Sequence, residues 1–257
     1  MKISVVTVCY NAVDTIEETM RSVLDQTYPD VEYIVIDGSS TDGTVDIIKK
    51  YSDRLAYWVS EPDNGIYDAM NKGIKVATGD YINFMNAGDT FVSSDILNNV
   101  VNNIDTGVIL LICNWYDVTK YGIMERNALD IRYLKRSIIC SHQALFISLE
   151  YHKKHLYDIR FKFCADYKFV YDAYYKDYSQ IKYAPVYVAN YIHDEGFSAN
   201  NIYKLEREKQ KIWDGNKLIN RIIIEWINCR RFLWCQLSKI LPVNIICRYN
   251  KYRMSRK

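Results

Sequence analysis

Residues 61–90, EPDNGIYDAMNKGIKVATGDYINFMNAGDT, pack Asp63, Asp68, Asp80 and Asp89 around one short apolar run, YINFM. An acid delivered to the C-terminal end of a buried strand faces the crevice where open α/β sheets bind their ligands. Hard divalent cations prefer carboxylate, phosphate and water oxygens, so such an acid can hold a cation against a phosphorylated ligand. Asp89 follows YINFM through Asn86-Ala87-Gly88 and is the candidate metal ligand. In isolation it could equally cap the helix expected from Ser94. Asp37 follows a second buried run, with Gly38, Ser39 and Ser40 behind it. Its carboxylate could accept from a base N–H or a ribose hydroxyl, or Asp37-Gly38 could simply turn the chain. Asp42 reads as the cap of the next helix. Asp166, in FKFCADYKF, opens a helix, and Phe161, Phe163 and Phe169 nearby would raise its pKa.

Two common phosphate motifs are absent. The loop after Asp37 lacks the lysine and the GxxxxGK[ST] spacing of a P-loop, and no GxGxxG follows the first strand. The first turn offers Thr7, Cys9, Tyr10 and Asn11 instead. The chain carries 23 tyrosines, a surplus that suits either walls stacking on rings or a Tyr-rich core boundary. The seven cysteines (9, 113, 140, 164, 229, 235, 247) are scattered without a CxxC pair, so neither a disulfide framework nor a zinc site is expected. Strand-like sequence begins at once after Met1, and no run of about 18 apolar residues occurs. The expectation is a reduced, cytoplasmic protein without a signal peptide or a membrane span.

These acids need a scaffold, and the first half of the chain supplies one. Lys2–Cys9 is a continuous β-branched run suited to a buried parallel strand, and Val31–Ile36 is a second buried strand. Helices are expected from Asp14 or Thr15 and over Val45–Tyr51, and a third strand over Leu55–Ser60. Strand, helix, strand, helix, strand at this spacing predicts a right-handed parallel sheet. A helix over Asp68–Ala77, strands over Tyr81–Met85 and Gly107–Asn114, and a helix over Ser94–Asn103 extend it. Beyond Trp115 short strand-like pieces, CSHQALFIS and QIKYAPVYVANYI, flank a helix near Ala165–Tyr175. His152 and His155 are expected on the surface. Residues from about Ile202 to Leu241 read as helical and amphipathic, ended by Pro242.

Several segments in order, VTVCYNA, DGSSTDGT, EPDNGIYDAMNKG, GDYINFMNAGDT, HQALF and FCADYKF, resemble family 2 glycosyltransferases of the GT-A fold. The likeness covers about residues 1–200 and is strongest to bacterial members that build surface polysaccharides. It implies an α/β fold, GT-A-like and Rossmann-related, with a mostly parallel sheet flanked by helices and a C-terminal amphipathic helical tail. It implies a domain over 1–200, with a nucleotide-sugar half at 1–115 and an acceptor half at 116–200, and the tail over 201–257. The implied activity is inverting transfer from a nucleoside diphosphate sugar to a hydroxyl of a glycan or lipid-linked acceptor, using Mg²⁺ or Mn²⁺. The donor base could be uracil, guanine or thymine. The resemblance makes Asp37 the nucleotide-base contact, with Thr7, Tyr10, Asn11 and Ser39 beside it, and places Asp68 near the ribose and donor sugar. Asp89 becomes the last acid of the metal motif, where the usual Asp-x-Asp or Asp-Asp is Asn86-Ala87-Gly88-Asp89 in this chain, and Asn86 joins the nucleotide-sugar contacts. Asp166 takes the catalytic-base position, His142 and Gln143 an acceptor-side motif. His193 is a diphosphate or metal contact, or a structural residue. A catalytically inactive sugar-nucleotide-binding protein of the same fold is the alternative, and no nucleic-acid partner is expected.

Charge sits unevenly along the chain. Residues 217–257 hold ten Lys or Arg and one acid, Glu225, giving about +9; the whole chain is +2, so residues 1–216 lie near −7. In INRIIIEWINCRRFLWCQLSKIL, Ile219, Ile222, Ile223, Trp226, Ile227, Phe232, Leu233, Leu237 and Leu241 recur near helical spacing, with Arg221, Arg230, Arg231 and Lys239 between them. A basic amphipathic helix with tryptophans can lie in an anionic membrane interface, each nearby cation adding about 1 kcal/mol. Residues 217–257 are thus expected to hold the protein on the inner face of the cytoplasmic membrane, although packing on a protein surface would use the same stripe. The full-length chain should sediment with anionic vesicles and be released by salt, while a chain ending at Asn216 should remain in the supernatant. Equal sedimentation of the two would refute membrane binding.

Overall fold

The computed structural model describes residues 1–119, 122–134, 138–192 and 201–212, with isolated positions 229, 233, 236 and 237. The chain divides into two compact units, Met1–Asn200 and Asn201–Lys257. Four parallel strands carry the first half of the larger unit: β1 (Ile3–Cys9), β2 (Val31–Asp37), β3 (Tyr57–Ser60) and β4 (Tyr81–Phe84). Every residue of β1 is buried, as its β-branched run requires of a central strand covered on both faces. Helices α1 (Ile16–Leu24), α2 (Thr44–Lys50) and α3 (Ile66–Val76) make the crossovers. On α1 the apolar face is Ile16, Met20 and Val23, and Glu17 and Glu18 complement the dipole in its first turn. Helix α3 lies so close to β1 that a Cβ on Gly73 would sit 2.6 Å from a Val6 methyl. Glycine there sets the distance between helix and sheet.

The same sheet continues through the second half. Its path is β3-β2-β1-β4-β8-β6-β9-β5, with β7 paired to β6, nine strands among the described residues. The later elements are β5 (Thr90–Phe91), α4 (Ile96–Val101), β6 (Leu110–Thr119), β7 (Gly122–Arg126), β8 (Leu145–Ser148), α5 (Leu149–Lys154), α6 (Ala165–Asp177) and β9 (Ile181–Ile192). Strand β8 runs antiparallel to β4 and β6, and β9 runs parallel to β6, so this half is mixed where the first is parallel. Three of these elements escape the sequence pattern. Strand β5 is two residues long, β7 is a hairpin arm lacking apolar alternation, and α5 lacks a side-chain cap. Strand β6 runs five residues beyond Asn114 because β7 pairs with its outer half. The smaller unit contributes α7 (Ile202–Ile212).

His152 is a correction. It is fully buried rather than on the surface, with its ring against Phe84, Tyr157 and Phe169. It lies on the inward side of α5, and burial pushes its imidazole down to about 4, so it is neutral in the folded protein. Most of the basic tail, with the whole apolar stripe except Leu233 and Leu237, lies outside the described residues. Those two leucines are helical, one turn apart and about half exposed (54% and 49%). Among the described residues no helix is long and apolar enough to cross a membrane.

Glu32 fastens the start of the sheet. Inside β2 its carboxylate accepts from the Ser4 hydroxyl at 2.6 Å, the Thr78 backbone N–H at 2.7 Å, the Thr78 hydroxyl at 2.6 Å and Lys2 Nζ at 2.9 Å. Burial pushes its pKa up, but these donors outweigh it and hold the group at about 2. A depressed carboxyl stabilises the fold above its unfolded value, about 4.5, and that stability is lost as pH falls toward 2. The shift corresponds to on the order of 2–3 kcal/mol. Glu32→Gln should lower the urea midpoint at neutral pH and flatten the fall in stability of the native chain between about pH 4.5 and 2. An unchanged acid limb in denaturation curves would show that Glu32 does not carry this stability.

Candidate active site

The C-terminal ends of β1, β2 and β4 meet on one edge of the sheet, and the loops there are cross-tied. The Asn11 amide N–H donates to Ser40 Oγ at 2.7 Å, and Thr41 N–H donates to Asn11 Oδ1 at 3.0 Å. Asp42 accepts from Val13 N–H at 3.0 Å and from Thr44 N–H at 3.0 Å, so it joins two loops as well as starting α2. Asn11 and Ser39 hold left-handed backbone, φ 48° and 64°, which costs energy for side chains of this kind. Gly38 is required for another reason: a Cβ there would meet Asp63 Oδ2 at 2.5 Å and the Tyr10 ring at 3.4 Å. Tyr10 itself is 67% exposed over this loop.

Asp37 lies at the tip of β2 and is fully enclosed. Oδ2 accepts from Ser60 Oγ at 2.6 Å and Ser40 N–H at 2.9 Å, while Oδ1 accepts from Ser40 Oγ. A ligand reaches this carboxylate only by displacing a serine hydroxyl. Thr7 stands apart from the crevice, because it is buried and its hydroxyl bonds Met85 O at 2.7 Å and pairs with Tyr33 at 2.8 Å. Its hydroxyl thus ties β1 to β2 and to the residue that follows β4. Asp68, in the first turn of α3, accepts from Asn64 N–H at 2.9 Å and is partly exposed.

Two acids are joined through the turn His142–Ala144. Gln143 Nε2 donates to Asp89 Oδ2, and Ile192 N–H reaches Asp89 Oδ1 at 3.2 Å. One residue earlier, Asn86 Nδ2 lies 2.8 Å from His142 Nε2. An amide nitrogen only donates, so His142 Nε2 accepts and the ring proton sits on Nδ1, which faces Asp166 Oδ2 at 3.6 Å. Tyr67 completes the set by donating to Asp166 Oδ1 at 2.8 Å. Sequence inspection missed Tyr67, although it immediately precedes Asp68 in NGIYDA. Asp166 occupies the second position of α6 with its side chain 21% exposed, beside a recess lined by Leu134, Ile138, Ile139 and Leu145.

The two carboxylates have opposite environments. Burial raises Asp89 to about 6, against the opposing effects of His142, Gln143 and Ile192 N–H. At Asp166 burial also pushes upward, but His142, Tyr67 and the Tyr167 N–H outweigh it and leave the group below the usual range. This corrects the expectation that neighbouring phenylalanines would raise it; Phe169 packs on His152 and Tyr157 instead.

The donor set suits a hard divalent cation. Asn86 Oδ1 is buried without a hydrogen-bond partner among the described residues, three positions from the Asp89 carboxylate. Two protein oxygens beside phosphate and water match the habit of Mg²⁺ or Mn²⁺. No group of three or more His, Cys, Asp or Glu able to hold a metal occurs among the described residues. His193 lies outside them.

Residues 4–123 match the model of glycosyl transferase family 2. An uncharacterized glycosyltransferase of Mycobacterium tuberculosis is 42% identical over 100 residues, 38% of this chain and 38% of the relative. WfaP of Escherichia coli, described as a UDP-Glc:alpha-D-GlcNAc-diphosphoundecaprenol beta-1,3-glucosyltransferase, is 39% identical over 99 residues, 38% of this chain and 39% of its own. The chain thus spans about two fifths of the length of these relatives. Among solved structures, the mannosyltransferase PcManGT of Pyrobaculum calidifontis in complex with GDP-Man and Mn²⁺ superposes with a TM-score of 0.65 at 19% identity, covering 85% of this chain and 66% of that one. Residues 4–123 are thus similar to the family 2 glycosyltransferases, and the fold is GT-A-like.

Tyr67→Phe tests the electrostatics. Losing its hydrogen bond should move the Asp166 pKa upward, visible in an NMR titration of the carboxyl carbon. A carboxyl titrating unchanged in the variant would remove Tyr67 from the set.

Proposed function

We propose that this chain transfers a sugar from a nucleoside diphosphate sugar to a hydroxyl of a glycan or lipid-linked acceptor, with inversion, in bacterial surface-polysaccharide synthesis. The observation that carries the reading is the pairing of Asp89 and Asp166 through His142-Gln143 at the crevice edge of the sheet. A binding module has no need of a base, and Asp166 is a carboxylate held ionised and partly exposed. The donor reading is supported by the UDP-Glc of WfaP and the GDP-Man of PcManGT, which differ in base. Residues 1–115 serve the donor and 116–200 the acceptor. The site works at the cytoplasmic face of the membrane, where a lipid-linked acceptor would present its sugar.

Asp166 accepts the proton of the acceptor hydroxyl while that oxygen bonds to the anomeric carbon from the face opposite the diphosphate. The bond from the anomeric carbon to the diphosphate oxygen breaks, and its electron pair leaves with the diphosphate. Tyr67 and His142 hold Asp166 ionised and oriented throughout. Asp89 and Asn86 Oδ1 would hold the divalent ion, which supplies Lewis-acid neutralisation of the leaving charge. Asp37, Tyr10, Asn11, Ser39 and Asp68 form the donor side around the nucleoside and sugar.

A panel of UDP-, GDP- and dTDP-sugars with Mn²⁺ tests the reading directly, comparing the native chain with Asp166→Asn. The variant should lose about two to four orders of magnitude in transfer. Its affinity for the donor should stay near that of the native chain, because the base acts on the acceptor. Donor binding without turnover in the native chain would identify a non-catalytic binding protein instead.

A further inference from the structure

Beyond the two bridged acids lies a third carboxylate that the chemistry above leaves unused. Asp117, on β6, is 3% exposed, and Trp115 Nε1 donates to its Oδ1 at 2.8 Å. Its Oδ2 accepts from Arg126 Nε, across the hairpin from β7. Trp115 pairs with Arg126 in the register, so Trp115, Asp117 and Arg126 share one face of the sheet. The guanidinium donates through Nε alone to a side chain among the described residues, and its side chain is 31% exposed. A buried acid that grips only one nitrogen of an arginine fixes the plane of the fork and leaves its two terminal nitrogens for another acceptor.

The register brings this pair to the candidate site. Asp117 lies opposite Tyr191 on β9, and Ile192, the next residue, donates its N–H to Asp89. Tyr191 stands within electrostatic reach of Asp89, Asp117 and Asp166 together, and their charges add to burial in raising its phenol. The same short stretch of β9 therefore touches the candidate cation ligand on one side and the acid that orients Arg126 on the other. A diphosphate gains negative charge as its bond to the sugar breaks, beyond what one divalent ion neutralises.

We propose that Arg126, oriented by Asp117, is a phosphate-binding residue for a diphosphate-bearing substrate of this site. The inference rests on the transferase reading, and it names Asp117 as a positioning residue. Arginine suits the role because its planar fork meets two phosphate oxygens at once. The diphosphate could belong to the sugar donor or to a lipid-linked acceptor; the shared chemistry is the same.

Calorimetric titration of the full chain with pyrophosphate, in Mn²⁺ buffer at low salt, tests the proposal without requiring sugar transfer. Arg126→Gln should weaken pyrophosphate about tenfold to a hundredfold, the worth of a charge-assisted hydrogen bond, while Arg126→Lys should retain part of the affinity. Asp117→Asn gives a second reading. It removes a negative charge, so a purely electrostatic role predicts tighter binding, whereas loss of orientation predicts weaker binding. Parallel titrations with uridine diphosphate and with farnesyl diphosphate assign the site to donor or acceptor by which of them Arg126→Gln weakens. Folded Arg126→Gln protein, verified by circular dichroism, that binds all three ligands like the native chain would overturn the proposal, as would tighter pyrophosphate binding by Asp117→Asn. Failure of the donor panel with these losses intact would instead overturn the transferase reading alone.

Discussion

Much of this site depends on two adjacent side chains that face different acids. His142 points at Asp166 and Gln143 at Asp89, so one short turn sets the distance between a candidate base and a candidate metal ligand. The turn is itself held from below, since Asn83 on β4 donates to the backbone carbonyls of Gln143 and Leu145 at 2.9 Å each. Displacing β8 from β4 would therefore change both acids together. The arrangement also explains why Gln143 is entirely buried although polar: its amide donates to Asp89 and its carbonyl accepts from Ser141. Each hydrogen-bonding group of that amide is placed, as a buried polar network requires.

The bridge also separates the ionisation of two chemically identical groups. Asp89 is enclosed, and the donors it has only partly offset the loss of water. Asp166 keeps some exposure and gains a phenol and an imidazole as partners. Environments that push like groups apart are the means by which a single site assigns different roles to each. The loops across the crevice contribute rigidity. Asn11 and Ser39 remain in left-handed backbone because neighbouring side chains fill the hydrogen bonds around them.

The first half of the fold was legible because its strands are mostly apolar runs punctuated by acid-rich turns, and its helices show one apolar face each. Asp89 and Asp166 were visible as candidates for the same reason, at the ends of an apolar run and the start of a helix. What the sequence could not show is partnership across distance. Tyr67 and Asp166 lie 99 positions apart, and nothing local in NGIYDA says that the phenol reaches α6. The pKa of Asp166 is held down by His142 and Tyr67, partners far from it in sequence, and not set by the phenylalanines beside it in the chain. Thr7 looked like a turn residue able to meet a ligand, but an all-buried strand turned its hydroxyl inward. His152 looked like a surface residue in a polar stretch, and only the closure of α5 over Phe84 put it inside. Strand β5 was invisible because two residues carry no period.

The sheet ends quietly. Edge strands present unpaired backbone groups that can recruit a further strand from another molecule. Here β3 closes one end of the path with four residues and β5 the other with two, while the branch strand β7 carries Glu125 and Arg126. Short rungs and charged side chains give an incoming chain little length to pair with and a desolvation cost for trying. Edges of this kind protect a chain from polymerising through its own β-structure.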